Sequence, residues 1–213
     1  LDYGNSQYTG QVLLSTIGDI KQPNSDRYET VSNLPMVTDE FGHLLKQSEQ
    51  QDDTPSCSLA EALEKQSMPK AAFEVTVVDD GSTDDSPALL KSWADRDLRI
   101  RIFTTPPQGI VPALNTGLAE CQGRFIARMD ADDHMRPERL ERQVTFCEQH
   151  PDCGLIGTQV KGFTNAGPVS DSIRRYQDWN NALVSHEQIR NDLFVESPIM
   201  HPTFFGPRET FDA

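Results

Sequence analysis

The chain has 213 residues, enough for one domain with a sizeable core, and its 19 basic and 33 acidic side chains give a net charge of −14. Such an acidic chain is poorly suited to broad binding of nucleic acids or anionic membranes. No apolar run reaches the roughly 18 residues of a membrane span. Four cysteines without a C-x-x-C pair indicate reduced thiols in a cytoplasmic protein. Because the sequence begins at Leu1 and has no signal peptide, we interpret it as trimmed or as part of a longer chain.

Residues 1–56 are dominated by Gln, Ser, Asp, Asn and Thr. Because this composition offers little apolar surface to bury, we predict a poorly defined N-terminal segment or insertion, attached loosely to the core. Residues 11–17 have the composition of a strand, and residues 47–56 that of a flexible linker. Limited proteolysis is therefore expected to cut first in 47–56.

Ordered structure is predicted over residues 57–213. Strands are predicted where β-branched and aromatic residues cluster, at residues 73–78, 99–103, 124–129 and 155–160, with 197–205 re-entering the sheet. Helices are predicted from capping boxes, prolines at first helical positions and apolar stripes, at residues 58–66, 86–94, 112–122, 138–149, 176–183 and 185–194. This alternation of helix and strand is typical of an α/β fold with a mostly parallel sheet and helices on both faces.

Carboxylates follow two of the predicted strands. Asp79 and Asp80 follow the first, and Asp130, Asp132 and Asp133 follow the third. Because the carboxyl ends of parallel strands share one edge of a sheet, we expect both clusters to face one crevice. Like charges so close together repel, and carboxylate oxygens are what Mg²⁺ and Mn²⁺ prefer, so the second cluster predicts a metal site. For either cluster alone, a solvated acidic turn is the alternative.

The turn after the first of these strands has features of a ligand-binding turn. A carboxylate there could accept a hydrogen bond from the imide N–H of a uracil-like base or from a ribose hydroxyl. Gly81 permits a tight turn close to a ligand, and the polar residues 82–84 can fix that turn by bonds to the backbone.

Two segments resemble the nucleotide-binding core of family 2 glycosyltransferases. They are FEVTVVDDGSTDDSP at residues 73–87 and ALNTGLAECQGRFIARMDADDHMRPERLERQ at residues 113–143. YQDWNN and FVESPIMHPTFF also resemble the later half of a bacterial branch of that family. The resemblance covers about residues 59–205. It implies a three-layer GT-A fold, of the nucleotide-diphospho-sugar transferase type, over residues 57–213.

The resemblance also implies roles for the acidic residues. The nucleotide-binding residues are Asp79, Asp80, Asn115 and Asp132, and the metal-binding residues are Asp130, Asp132 and Asp133. For Asp130 the alternative is that it supports the other carboxylates without binding the metal itself. For Asn115 the alternative is an ordinary polar residue on a helix face. Arg128 either neutralises the acidic cluster or is an ordinary surface arginine. His134 and His201 are expected to make structural hydrogen bonds.

The implied activity is that of an inverting, metal-dependent glycosyltransferase using Mn²⁺ or Mg²⁺. It would move a sugar from a nucleotide-sugar donor, a UDP-sugar, to a hydroxyl of a glycan or lipid-linked acceptor. The setting would be polysaccharide or cell-envelope glycan biosynthesis, in the cytoplasm or at the inner face of the membrane. A non-catalytic sugar-nucleotide-binding domain or an inactive fragment is the alternative. A calcium-binding EF-hand is excluded because Met135 stands where its loop needs glycine.

The chain departs from the family pattern in two places. The family opens with an apolar strand just before the helix at residue 58, where this chain has QQDDTPSC. Either residues 11–17 supply that strand across a long insertion, or the strand is missing. The family also places its catalytic base well beyond the HPT segment, so the base is expected beyond Ala213. The domain is then C-terminally incomplete, and we expect it to bind donor but to turn over poorly.

Overall fold

A computed structural model describes residues 10–16, 59–131, 133, 135–162 and 169–211. Contacts divide the chain into two compact units, and residues 157–201 provide the described part of the second. The predicted boundary near residue 57, and most of the predicted N-terminal segment, lie outside the described residues.

The described helices follow the predicted order closely. The helices of the first unit are α1 (Leu59–Glu64), α2 (Ser86–Ala94), α3 (Ile110–Glu120) and α4 (Arg139–Gln149). The second unit contains α5 (Asp171–Ala182) and α6 (His186–Asp192). Short 3-10 turns occur at Lys70–Ala72, His201–Thr203 and Arg208–Thr210. No helix among these described residues is long and apolar enough to cross a membrane.

Among the described residues, five strands form the sheet of the first unit, in the order β3-β2-β1-β4-β5. They are β1 (Gly10–Thr16), β2 (Phe73–Asp79), β3 (Ile100–Thr104), β4 (Phe125–Asp130) and β5 (Phe205–Pro207). β2, β3 and β4 run in one direction, and β1 and β5 run in the other. All seven residues of β2 are buried, so both of its faces are covered, as expected for a strand between two helical layers.

β1 lies at the centre of the sheet. It pairs with β2 and β4 and is antiparallel to both, so residues close to the predicted 11–17 do form a central strand. β1 therefore runs opposite to the direction expected in a mostly parallel sheet. An antiparallel ladder still pairs the backbone N–H and C=O groups of β1 with those of both neighbours, so no backbone hydrogen bonds are lost. That this strand takes the place of the family's opening strand stays a prediction.

The predicted strand at 155–160 is wrong. Only Ile156 pairs with the sheet, in an isolated bridge to Phe205. The backbone groups of Val160 bond instead to the side chain of Asn181, whose Oδ1 accepts at 2.9 Å and whose Nδ2 donates at 2.8 Å. The re-entry predicted from residue 197 begins only at Phe205. Its strand ends at Pro207, and the Arg208 N–H still donates to the carbonyl of Arg124 at 2.9 Å.

The helix N-termini show which local sequence signals were sufficient to predict a cap. The capping box of Ser185 and Gln188 is present in full. Ser86, where the predicted helix 86–94 begins, is the buried first residue of α2, and its amide donates to Asp84 Oδ1 at 2.9 Å. The acidic turn before α2 therefore supplies the acceptor at this helix start.

Candidate functional site

The strands that precede the two acidic clusters end at one edge of the sheet. Asp79 ends β2 and pairs with Gly10, and Asp130 ends β4 and pairs with the neighbouring Gln11. One strand separates them, which corresponds to roughly 10 Å at the usual spacing of strands. Asp79 and Asp130 therefore end at the same edge of the sheet, as the sequence predicts, and the crevice that both clusters are expected to face stays a prediction.

Asp79 is a buried carboxylate at the end of β2. The residue is 1 % exposed, and its Oδ1 accepts the Ser82 N–H at 3.0 Å. Its Oδ2 is buried and has no hydrogen-bond partner among the described residues. A buried acceptor without a donor is costly, so this oxygen is suited to receiving an N–H or O–H from a ligand.

Asp80 has different hydrogen-bond partners from Asp79. Its Oδ1 accepts from Thr105 Oγ1 at 3.1 Å and from the Gln108 N–H at 3.0 Å, and its Oδ2 accepts from the Gly109 N–H at 2.7 Å. These bonds, with Gln108 foremost, lower the pKa of the Asp80 carboxyl. The carboxylate therefore binds residues 105–109, which connect β3 to α3 and which we call the β3–α3 loop.

The turn after Asp80 packs against the β3–α3 loop. Gly81 has a φ of 76°, and a Cβ placed there would lie 2.7 Å from Cδ of Pro107. The Thr105 N–H also donates to the Asp79 carbonyl at 2.9 Å. Only glycine fits both the backbone conformation and the close approach of the proline ring.

Arg128 is the buried partner of the second acidic cluster. Its side chain is 5 % exposed, and Nη2 lies 2.6 Å from Asp130 Oδ1. It is therefore not a surface arginine, and it neutralises part of the cluster as the first alternative proposed. The Asp133 N–H donates to the Asp130 carbonyl at 3.2 Å and closes the turn. The pairing with Arg128 favours a supporting role for Asp130.

Arg139 is a second buried cation at this site, and the sequence analysis did not single it out. Nη2 donates to the carbonyls of Arg128 at 2.8 Å and Pro202 at 3.0 Å, and Nε donates to Gln143 Oε1 at 3.1 Å. Burial lowers its pKa to about 10, while the charge of Asp133 opposes that shift, so the side chain stays charged at neutral pH. Its place in the first turn of α4, directly after the acidic cluster, is the signal that could have identified it.

The predicted metal ligands are only partly described. Asp130 and Asp133 are described, whereas Asp132 lies outside the described residues, as does His134, which was expected to make a structural hydrogen bond. Among the residues that are described, no group of three His, Cys, Asp or Glu side chains could hold a metal ion. The carboxylate chemistry of the predicted set still fits a hard divalent cation. The metal site therefore stays a prediction.

Two further predicted residues are described and exposed. Asn115 is exposed on the middle of α3, the helix that begins at the β3–α3 loop. His201 is exposed and belongs to the second unit. Neither position tests the role assigned to the residue from the sequence.

Comparisons with known proteins identify relatives of this chain. The family model for Glycosyl transferase family 2 matches residues 57–212. An uncharacterized glycosyltransferase of Haemophilus influenzae is 36 % identical over 107 residues, which are 46 % of this chain and 43 % of that protein. The amylovoran biosynthesis glycosyltransferase AmsE of Erwinia amylovora is 32 % identical over 132 residues, which are 62 % of this chain and 48 % of AmsE. The chain thus spans less than half the length of these curated relatives.

A solved structure shows the same fold. The crystal structure of residues 1–349 of Staphylococcus aureus TarS superposes with a TM-score of 0.52 at 24 % identity, covering 71 % of this chain and 42 % of that one. This likeness confirms the GT-A type α/β fold that the sequence resemblance implied.

Proposed function

The chain belongs to glycosyl transferase family 2, and from that premise we propose that it binds a UDP-sugar donor for transfer to an acceptor hydroxyl. The observation that carries this proposal is the placement of Asp79 and Asp130 at one edge of the sheet, one strand apart. A nucleoside diphosphate has a base at one end and a doubly charged group at the other. The first cluster would supply an acceptor for the base, and the second would supply a cation site for the diphosphate.

The uracil assignment rests on Asp79. One carboxylate oxygen is taken by the Ser82 N–H, and the other is buried with no partner among the described residues. One available oxygen matches the single imide N–H of uracil. Cytosine presents an acceptor at that ring position and would repel the carboxylate, while guanine presents two adjacent donors and would use both oxygens.

The diphosphate would be held through a divalent cation. Asp133 and Asp132 would carry Mn²⁺ or Mg²⁺, while Asp130 is engaged by Arg128. The bound ion would supply positive charge to the leaving diphosphate. This chain needs such a charge, because its own balance of −14 would otherwise repel the donor.

Transfer itself would proceed with inversion at the anomeric carbon. A carboxylate base removes the proton of the acceptor hydroxyl as its oxygen attacks, and no described residue is assigned that role. AmsE is named for amylovoran biosynthesis and TarS for poly(ribitol-phosphate) glycosylation. These names support a glycan or polymer acceptor and a role in polysaccharide or cell-envelope synthesis.

The uracil assignment is tested by comparing UDP with CDP in calorimetric titrations. We expect the wild-type chain to prefer UDP, and Asp79→Asn to weaken UDP binding by about 10–100-fold, because a hydrogen bond to a charged acceptor is lost. The ratio of the Kd for CDP to the Kd for UDP should also fall in the same variant. Asp84→Asn is the control, since Asp84 bonds only to the start of α2 among the contacts described. Equal binding of UDP and CDP by the wild type would contradict the assignment.

A further inference from the structure

The two adjacent carboxylates after β2 have different partners. We propose that Asp80 is a positioning residue, which holds the β3–α3 loop beside Asp79 and does not itself touch the nucleoside. The proposal rests on the proposed function and deepens it, because the sequence resemblance assigned both residues to nucleoside contact.

The hydrogen bonds of Asp80 carry the proposal. Three donors from Thr105, Gln108 and Gly109 occupy its two oxygens, at 2.7–3.1 Å. Asp79, one residue earlier, keeps an oxygen without a partner among the described residues. A ligand N–H at Asp80 would share an oxygen that already accepts a bond from the loop, whereas at Asp79 it would satisfy an acceptor that lacks one.

The β3–α3 loop depends on such bonds for its order. Residues 106–109 are all exposed, so little apolar burial holds them. Gly109 caps α3 with φ 92° and ψ 174° and makes no side-chain cap bond of its own. The Asp80 carboxylate at this helix start also interacts favourably with the helix dipole.

The loop lies where it can shape a nucleoside pocket. The Thr105 N–H donates to the carbonyl of Asp79 itself, at 2.9 Å. Pro107, in the same loop, packs against Gly81 in the turn that follows Asp80. Fixing this loop before the ligand arrives reduces the ordering cost of binding. Asp80 would thus raise affinity for any nucleotide, whereas Asp79 would select the base.

The test combines amide hydrogen exchange without nucleotide and calorimetry with UDP and CDP, on the whole 213-residue chain. In Asp80→Asn, exchange at Gln108 and Gly109 should rise about tenfold, because these amides lose a charged acceptor. The Kd values for UDP and CDP should rise by one common factor, about three- to tenfold, since preorganisation is lost and base selection is not. Asp84→Asn, the matched change of charge, should alter neither readout.

Thr105 gives a second test that leaves both carboxylates in place. Thr105→Val removes one donor to Asp80 and should produce a smaller change of the same kind, while Thr105→Ser keeps the hydroxyl and should restore protection.

Unchanged exchange at Gln108 and Gly109 in Asp80→Asn would overturn the proposal, and so would faster exchange with unchanged nucleotide binding. A selective loss of UDP over CDP in that variant would make Asp80 a direct ligand and would also overturn it. If the wild type binds no UDP, the proposed function fails, and the exchange data still decide whether Asp80 holds the loop.

Discussion

Replacing Gly81 by alanine tests the packing of the ligand-binding turn. The residue has a φ of 76°, which costs a side-chain-bearing residue about 1–2 kcal/mol. A new Cβ would also lie 2.7 Å from Pro107 Cδ and 3.0 Å from Pro107 N, so the loop would have to move. Overpacking of this kind costs about 1–3 kcal/mol. The free energy of unfolding should therefore fall by about 2–5 kcal/mol.

A double-mutant cycle in urea separates the two costs. Pro107→Ala removes the ring atom nearest to the new Cβ, so Gly81→Ala should cost about 1–3 kcal/mol less in that background. Gly109→Ala is the control: its φ of 92° imposes a backbone cost of about 1–3 kcal/mol, but a Cβ there meets no atom within 4 Å. Additive effects of Gly81→Ala and Pro107→Ala would refute the claim that the turn and the loop are in contact.

Three further predictions address the carboxylates and a buried thiol. Arg128→Met should lower the free energy of unfolding, measured in urea, by about 1–3 kcal/mol. This loss is smaller than for a fully buried ion pair because the Asp130 side chain is 31 % exposed. Adding Asp130→Asn should recover part of the loss, since the unpaired charge is then removed. Asp133→Asn should weaken metal-dependent UDP binding in calorimetry far more than Asp84→Asn does, and the reverse order would mean that the cation site is misplaced. Burial raises the pKa of Cys147 from 9.0 to about 12, so unfolding releases its proton above pH 9 and stability should fall between about pH 9 and 12. Cys147→Ala should show a shallower fall in urea midpoint over that range, and an unchanged slope would contradict the assignment.

The site-bearing strands were predictable because their signals are local. β2 and β4 are buried runs of apolar residues that end in carboxylates, and each was predicted to within one residue at either end. The rule that parallel strands share a carboxyl edge then placed Asp79 and Asp130 together.

The parts of the site that sequence analysis missed depend on contacts distant in the chain. Asp80 bonds to amides 28 and 29 residues away, and no local pattern distinguishes it from Asp79. Arg139 reaches the carbonyl of Pro202, 63 residues along the chain. Such bonds depend on how elements pack, which periodicity does not encode.

Two features of the sheet could not be predicted from composition. The composition of residues 11–17 indicated a strand but not its direction, since parallel and antiparallel ladders use the same residue types. Residues 155–160 have strand composition too, but Asn181 satisfies the backbone of Val160, so the ladder extends no further than Ile156.

The central claim is that carboxylates at the ends of two strands bind a nucleoside diphosphate together with a divalent cation. Calorimetric titration of the wild-type chain with UDP, in Mn²⁺ and then in EDTA, measures this directly. We expect one UDP per chain in Mn²⁺ and a loss of most of that affinity in EDTA. Equal affinity for UDP in EDTA would show that the cation does not contribute to binding. No binding of UDP in Mn²⁺ would contradict the central claim itself.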